Sequence, residues 1–434
     1  MTGRSRFLVA LVLTIFFVIS FLTNILGALV PDIITSFKVS YAMAAFMPFS
    51  FFIAYGVMSI PAGFWVERWG EKPLMIAAFL FAAGGALAFA LQPIFPVAAA
   101  SLFIMGGGMA ALQVAINPLL RTAGGEEHFA FNSAFAQLVF GLASFVSPFV
   151  YSYLVTHLAL AGPKEGLLGI LAWITPRELA WVSMYWLFAL ATATMALLMV
   201  FMRMPKVVRS AGESSGSAAM YATLLRSPTV WAYFVAVLAY VGCEQGTADW
   251  ISEFLSQYHG LDPHTTGATA VAWFWGLMTA GCFIGMLLLK LFDSRAVLVG
   301  FSVGALILLT LGLFGPTRVA EVALPGVGFF ASIMWPTIVS LGLNSVTRHH
   351  GPFAGILCTG IMGGALVPLL IGQVADTVGL RNGMGVLYLT FGYVLSVGLW
   401  SRPLISNARR GETRSPGEDA TIGVSKPAPL RSGE

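Results

Sequence analysis

Charge is what this chain has least of. Asp, Glu, Lys and Arg make up 10% of its 434 residues, where a soluble domain averages about 25%. That is too little charge to cover a water-facing globule of this size, so most of the surface must face lipid and a soluble enzyme is excluded. Cysteine is sparse too: Cys243, Cys282 and Cys358 all lie inside apolar runs and suggest no disulfide framework. The six histidines (His128, His157, His259, His264, His349 and His350) fall at segment edges or in loops and make no metal-ligand spacing. Neither a Ser-His-Asp set nor a metal motif appears, so no catalytic chemistry, metal or resident cofactor is expected. No basic, aromatic-interleaved patch is present to bind nucleic acid.

What the chain does have is apolar length: 58% of its residues are apolar or aromatic, and the mean hydropathy is +0.84. Twelve apolar stretches lie near the roughly 20 residues a membrane-spanning helix requires. They run Phe7–Val30, Ala42–Val66, Pro73–Gln92, Phe95–Leu120, Phe129–Val155, Leu179–Met202, Thr229–Gln257, Thr266–Lys290, Ala296–Phe314, Val319–Leu343, Pro352–Ala375 and Asn382–Trp400. Leu167–Ile174 is too short to span and reads as a loop touching the interface. The first stretch follows Arg4 and Arg6, but it is too long for a signal peptide and ends at Val30-Pro31-Asp32 without a small-residue cleavage site.

Lys and Arg orient the helices. With both termini in the cytoplasm, only Lys38, Lys164, Arg177, Arg318 and Arg381 of the 23 basic residues fall outside. The net charge of +4 reflects this bias. Two polar stretches interrupt the apolar pattern. Arg203–Arg226, Ser- and Gly-rich at its centre, divides the chain into halves, and Ser406–Glu434 reads as a disordered cytoplasmic tail.

A six-plus-six layout suggests a carrier built of two repeats. The loop after the second segment reads Pro61-Ala62-Gly63-Phe64-Trp65-Val66-Glu67-Arg68-Trp69-Gly70-Glu71-Lys72, with a weaker counterpart, Gly285…Lys290…Asp293-Ser294-Arg295, after the eighth. Small residues there allow close helix approach, and the acid and bases beyond predict an interhelical charge lock involving Glu67, Arg68 and Lys72. This loop resembles the signature of the major facilitator superfamily.

Four further stretches narrow the resemblance. They are Ala110-Ala111-Leu112-Gln113-Val114-Ala115-Ile116-Asn117-Pro118 in the fourth segment; His128-Phe129-Ala130-Phe131-Asn132 with Ala136-Gln137 in the fifth; Phe329-Phe330-Ala331-Ser332-Ile333-Met334-Trp335-Pro336-Thr337-Ile338-Val339-Ser340-Leu341-Gly342 in the tenth; and Gly363-Gly364-Ala365-Leu366-Val367-Pro368 with Gly372 and Ala375-Asp376 in the eleventh. Together they resemble the fucose:proton symporter family, which includes glucose/galactose permeases and relatives of sodium-dependent glucose transporters. The departures from that family are specific. Its helix 1 aspartate is Gly27 here and its helix 4 glutamate is Gln113. An asparagine that helps hold fucose is Phe140, and the eighth segment reads Gly281-Cys282 and Gly285-Met286 where relatives often carry arginine after glycine. Two coupling carboxylates are therefore absent, and fucose itself is a doubtful substrate.

The polar residues left within the spans are the candidate site. Asn24, Gln113, Asn117 and Gln137 occupy the first half, and Gln113 and Asn117, four apart, share a helix face. Amides donate and accept, as sugar hydroxyls do. The seventh segment reads Tyr240-Val241-Gly242-Cys243-Glu244-Gln245-Gly246-Thr247-Ala248-Asp249-Trp250, resembling the start of that segment in sugar permeases. Glu244 lies near its middle; Asp249 shares a face with Gln245 and points about 140° away from Glu244. Gly246 is a place where the helix could break and bring the two acids together. Ionisable groups inside a span are functional candidates by default, so Glu244, and next Asp249, are the expected cation-coupling acids. Trp335 and Trp275 are the expected ring platforms for a sugar's C–H face.

The expectation is an all-α membrane protein of twelve helices in two pseudo-symmetric six-helix bundles, residues 1–202 and 229–402, joined by a loop over 203–228 and followed by a tail over 403–434. Function and partners follow from the resemblance. A monomer in a bacterial inner membrane would take up a glucose-, galactose- or fucose-like monosaccharide by alternating access, with no cofactor beyond a co-transported sodium ion or proton. A drug or metabolite exporter of the same superfamily and an uncoupled sugar uniporter are the alternatives.

Overall fold

The computed structural model describes residues 6–124, 129–160, 162–202, 204, 218–346 and 350–402, and the regular elements among them are helices. Twelve are long enough to cross a bilayer: α1 (Phe7–Phe37), α2 (Tyr41–Trp69), α3 (Glu71–Leu91), α4 (Phe95–Gly124), α5 (Phe129–Ala159), α6 (Arg177–Phe201), α7 (Pro228–His259), α8 (Pro263–Leu291), α9 (Ser294–Phe314), α10 (Thr317–Leu343), α11 (Pro352–Val378) and α12 (Leu380–Trp400). All but α7 are also apolar enough by composition. Glu244, Gln245, Asp249 and Glu253 lower the hydropathy of α7, which is nevertheless 32 residues long and largely buried. Its polar groups face protein rather than lipid, as the cost of exposing them to hydrocarbon demands.

Two expectations need correction. The first span does not stop at Val30: the chain continues as a helix through Pro31 to Phe37, because the run from Leu26 to Ile33 is buried and outweighs the local cost of the proline. Leu167–Ile174 is not a loop but part of a nine-residue helix, Gly166–Ile174, which projects Trp173 almost fully outward. An apolar segment at a membrane surface satisfies its backbone by coiling, and an exposed tryptophan suits that interface. Between the halves, Ala218–Leu224 forms a short helix; most of the rest of that connection, and the tail from residue 403, lie outside the described residues.

The packing repeats between halves. In the first half α2 and α3 both pack on α4, α3 packs on α6, and α1 on α5; in the second, α8 and α9 pack on α10, α9 on α12, and α7 on α11. Each half has its own apolar core. Between the halves α2 meets α11, α5 meets α8, and α1 meets α7. A two-fold exchange of halves maps the first two of these pairs onto each other. The side where α1 begins and α12 ends is called here the terminal side, and the opposite side, carrying the α1–α2 connection, the loop-1 side.

Candidate functional site

Three helices are interrupted within their spans. In α1 the ladder breaks at Asn24, because Ala28 N–H reaches back only to Ile25 O, at 2.9 Å. In α10 the break falls between Ala331 and Met334, and in α11 at Gly360–Met362. Interrupted helices within a membrane are tolerated where neighbours or a cavity satisfy the freed backbone groups. Here neighbours do part of that: Cys282 of α8 donates to Ser332 O of α10 at 3.4 Å, and Ser332 Oγ donates to Phe329 O at 2.7 Å.

In the second half, three of the predicted residues, Glu244, Gln245 and Trp335, come together. Glu244 is half-buried on α7 and accepts from Gln245 Nε2 at 3.1 Å, with the Tyr240 hydroxyl engaging it from one turn back. Tyr240 in turn lies 6.2 Å, ring to ring, from the half-buried Trp335. Glu244, Gln245, Tyr240 and Trp335 therefore form one continuous polar–aromatic patch across α7 and α10. Trp275 is buried edge-on against Phe274 at 5.2 Å, away from any open surface.

The break that Gly246 could allow does not occur: α7 runs unbroken from Pro228 to His259. The glycine serves packing instead, since a Cβ there would stand 3.0 Å from Ile371 and 3.1 Å from Leu387. Glu244 and Asp249 thus stay on different faces. Asp249 is buried against α1, and its Oδ2 has no hydrogen-bond partner among the described residues.

The predicted amides of the first half separate. Asn24 is buried and donates from Nδ2 to Ser144 Oγ of α5 at 2.7 Å; Ser144 in turn pairs with Ser20 at 2.6 Å. This amide therefore ties the α1 break to α5. Gln113 is half-buried on α4, and the side chain of Asn117 lies outside the described residues. Gln137 is exposed, and it shares a face of α5 with Gly141 and Phe145. That face is the bundle interface, because Gly141 abuts Thr279 and Phe145 packs 5.4 Å from Trp273, both on α8.

Toward loop 1 the interface is held by polar contacts between the halves. On the loop-1 side, Asp376 of α11 accepts from the N–H groups of Tyr41 (2.8 Å) and Ala42 (3.1 Å), capping α2 from the other half. Asp32 of α1 accepts from Tyr151 of α5 at 2.5 Å and lies 2.9 Å from His264 Nε2 of α8. Toward the terminal side the α8 residues Phe283, Met286, Leu287, Leu289 and Lys290 line a groove of about 430 Å³ on the surface of that helix.

The loop after α2 caps the two helix ends it joins. Gly70 takes a positive φ of 83°, the conformation that lets α2 end and α3 begin at one residue. Lys72 then donates to Val200 O (2.9 Å) and Met202 O (2.7 Å) at the C-terminal end of α6, where a cation meets the negative end of the helix. Arg68 is exposed, Gly63 touches nothing that a Cβ would meet, and the side chain of Glu67 lies outside the described residues. The second half repeats the device: Arg295 pairs with Asp293 at 3.2 Å and reaches Ser401 O at 3.5 Å, at the end of α12.

A family model described as the Major Facilitator Superfamily matches residues 12–360. The chain belongs to the major facilitator superfamily. Among its relatives, a glucose/galactose transporter of Brucella abortus is 29% identical over 394 residues, covering 89% of this chain and 92% of the relative. The L-fucose-proton symporter of Escherichia coli K12 is 26% identical over 401 residues, covering 87% and 89%. Solved structures show the same fold. The fucose:proton symporter FucP in an outward conformation superposes with a TM-score of 0.65 at 21% identity, covering 91% of this chain and 98% of that one. A bacterial homologue of the lysosomal transporter Spinster, inward-facing and occupied, gives 0.73 at 14% identity, covering 92% and 97%. These superfamily relatives are transporters and not enzymes.

Sequence reasoning missed the loop-1 contacts. His264 was grouped with the uninformative histidines, and Asp32 served only to mark the end of a span. Their one local signal is that each follows a proline, Pro31 or Pro263, and 232 residues separate them.

Proposed function

We propose that this superfamily member carries a monosaccharide of the glucose/galactose kind across a bacterial inner membrane by alternating access, coupled to a cation. The observation that carries the reading is the combination, at one level of the molecule, of an acid–amide pair and an aromatic pair in a chain similar over nearly its whole length to a glucose/galactose transporter. A pyranose offers an apolar C–H face and a rim of hydroxyls that both donate and accept. Trp335 suits the face; Gln113, Asn117, Gln137 and Gln245 suit the rim. Asn24 and Trp275 support the site by holding α1 and α8 in place.

Glu244 is the coupling acid of this reading, because it sits where the sugar would bind and its charge would respond to a proton or a sodium ion. Gly27 and Gln113, where the fucose-symporter family has carboxylates, cannot titrate. The excess of Lys and Arg supports a cytoplasmic terminal side, and the contacts across the loop-1 side then fit an inward-facing arrangement. The carrier works as a monomer.

Thermal shift of the purified protein against glucose, galactose and fucose, in sodium and in potassium buffers, tests the reading. Stabilisation by glucose or galactose is expected. Indifference to every sugar in both buffers would sink it.

A further inference from the structure

We propose that His264 is a proton-binding residue of the transport cycle: with Asp32 and Tyr151 it forms a clasp between the halves that a proton taken from the loop-1 side closes. The inference rests on the alternating-access reading but not on the identity of the sugar.

The clasp crosses the interface. His264 belongs to the second half, Asp32 and Tyr151 to the first. His264 Nε2 stands 2.9 Å from Asp32 Oδ1, while Tyr151 donates to Asp32 Oδ2 at 2.5 Å and its ring faces the imidazole at 6.2 Å. The turn that presents the histidine is preformed. Asp262 caps it, accepting from His264 N–H at 3.3 Å and from the Thr265 hydroxyl at 2.5 Å, and Gly267 N–H closes a wide turn back to Asp262 O at 3.0 Å. From α7 the turn is met by Ser252, whose hydroxyl donates to Pro263 O at 3.5 Å. The charged groups acting on the ring are Asp32 from α1 and Asp262 from its own turn, the latter 3.9 Å from Nδ1; α5 contributes Tyr151, itself hydrogen-bonded to Asp32.

When the halves part on this side, Asp32 and Tyr151 stay together in one bundle and His264 leaves with Asp262. Closing brings a second carboxylate to the ring. A neutral imidazole then makes a hydrogen bond, whereas an imidazolium makes an ion pair with hydrogen-bond geometry, the stronger of the two. Protonation therefore favours the closed arrangement. By linkage, closure takes up protons as pH falls through the histidine range, between pH 5 and 8, and is released as pH rises through it. The histidine side chain is 35% exposed while Asp32 is 11% exposed. The proton can thus arrive from loop-1-side water without passing the level of Glu244. The clasp and the central acid are separate titrating sites on one pathway.

The test is a distance measurement on the full-length carrier without sugar, using spin labels at Lys38→Cys and Arg318→Cys in a Cys358→Ser background. Both label positions are exposed, one in each half, on the loop-1 side. The closed-to-open ratio of the otherwise wild-type protein should rise as pH is lowered from 8 to 5.5, by up to about tenfold per pH unit for one proton. His264→Gln should flatten that response and His264→Lys should hold the short distance at both ends of the range. Tyr151→Phe removes a hydrogen bond made inside one bundle in both arrangements, so the pH response should persist. Glu244→Gln should keep the response, which separates the clasp from central coupling. A His264→Gln protein that elutes and melts like the parent yet keeps the full pH profile would overturn the proposal, as would a parent profile that is flat across the range.

Discussion

Gly27 offers the sharpest test of how the two halves meet. A Cβ at this position of α1 would lie 2.8 Å from the carbonyl carbon of Ala248 on α7, closer still to its oxygen, and 3.0 Å from Asp249 Cα. All three atoms are backbone, so no side chain can swing away; α1 and α7 themselves would have to separate. Overpacking of this sort costs about 1–3 kcal/mol. On the alternating-access reading this contact belongs to the arrangement with the loop-1 side shut, so the cost falls on that state and shifts the equilibrium by about 5- to 150-fold toward the loop-1-open arrangement. Gly27→Ala should therefore lengthen the label distance between Lys38 and Arg318 and slow transport, while the melting temperature of each bundle's own core changes little. Gly392→Ala, whose added Cβ meets nothing within 4 Å, is the control. If Gly27→Ala shows the parent's distance distribution and turnover, the two helices do not close against each other as described.

Three further outcomes bear on the site. Glu244→Gln should abolish uphill accumulation yet leave sugar exchange, because the amide keeps shape and hydrogen bonding but neither titrates nor attracts a cation; counterflow beside gradient-driven uptake in proteoliposomes reads the two apart. Trp335→Ala should weaken sugar binding more than Trp335→Phe by calorimetry, since the ring face is what the sugar uses; equal losses would assign Trp335 to packing on Tyr240. Gln137→Ala or Gln113→Ala should weaken binding by about 1–3 kcal/mol without loss of fold, and unchanged affinity in both would remove the amide half of the site.

How much of this was legible in the sequence depended on the range of the interactions. The spanning helices follow from hydropathy, because each lipid-crossing segment must carry its own apolar length. The interruptions in α1, α10 and α11 do not follow, since they are fixed by partners far along the chain, such as Ser144 for Asn24. Gly246 was misjudged for a related reason. A missing side chain reads locally as a point of weakness, but here it is the room that Ile371 and Leu387 occupy. Glu244 and Trp335 stood out as a midspan acid and a tryptophan beside proline, yet their link through Tyr240 is visible only in the packed helices. The signature loop was recognisable by its residues, while its action, Lys72 on the end of α6, depended on a helix 128 residues away.

Reconstituted transport tests the central claim most directly. Proteoliposomes containing the full-length chain, loaded with unlabelled glucose or galactose, should draw in labelled sugar by counterflow, and an imposed proton or sodium gradient should concentrate that sugar above its external level. Absence of counterflow for every monosaccharide tried, from protein that is folded and inserted, would contradict the account.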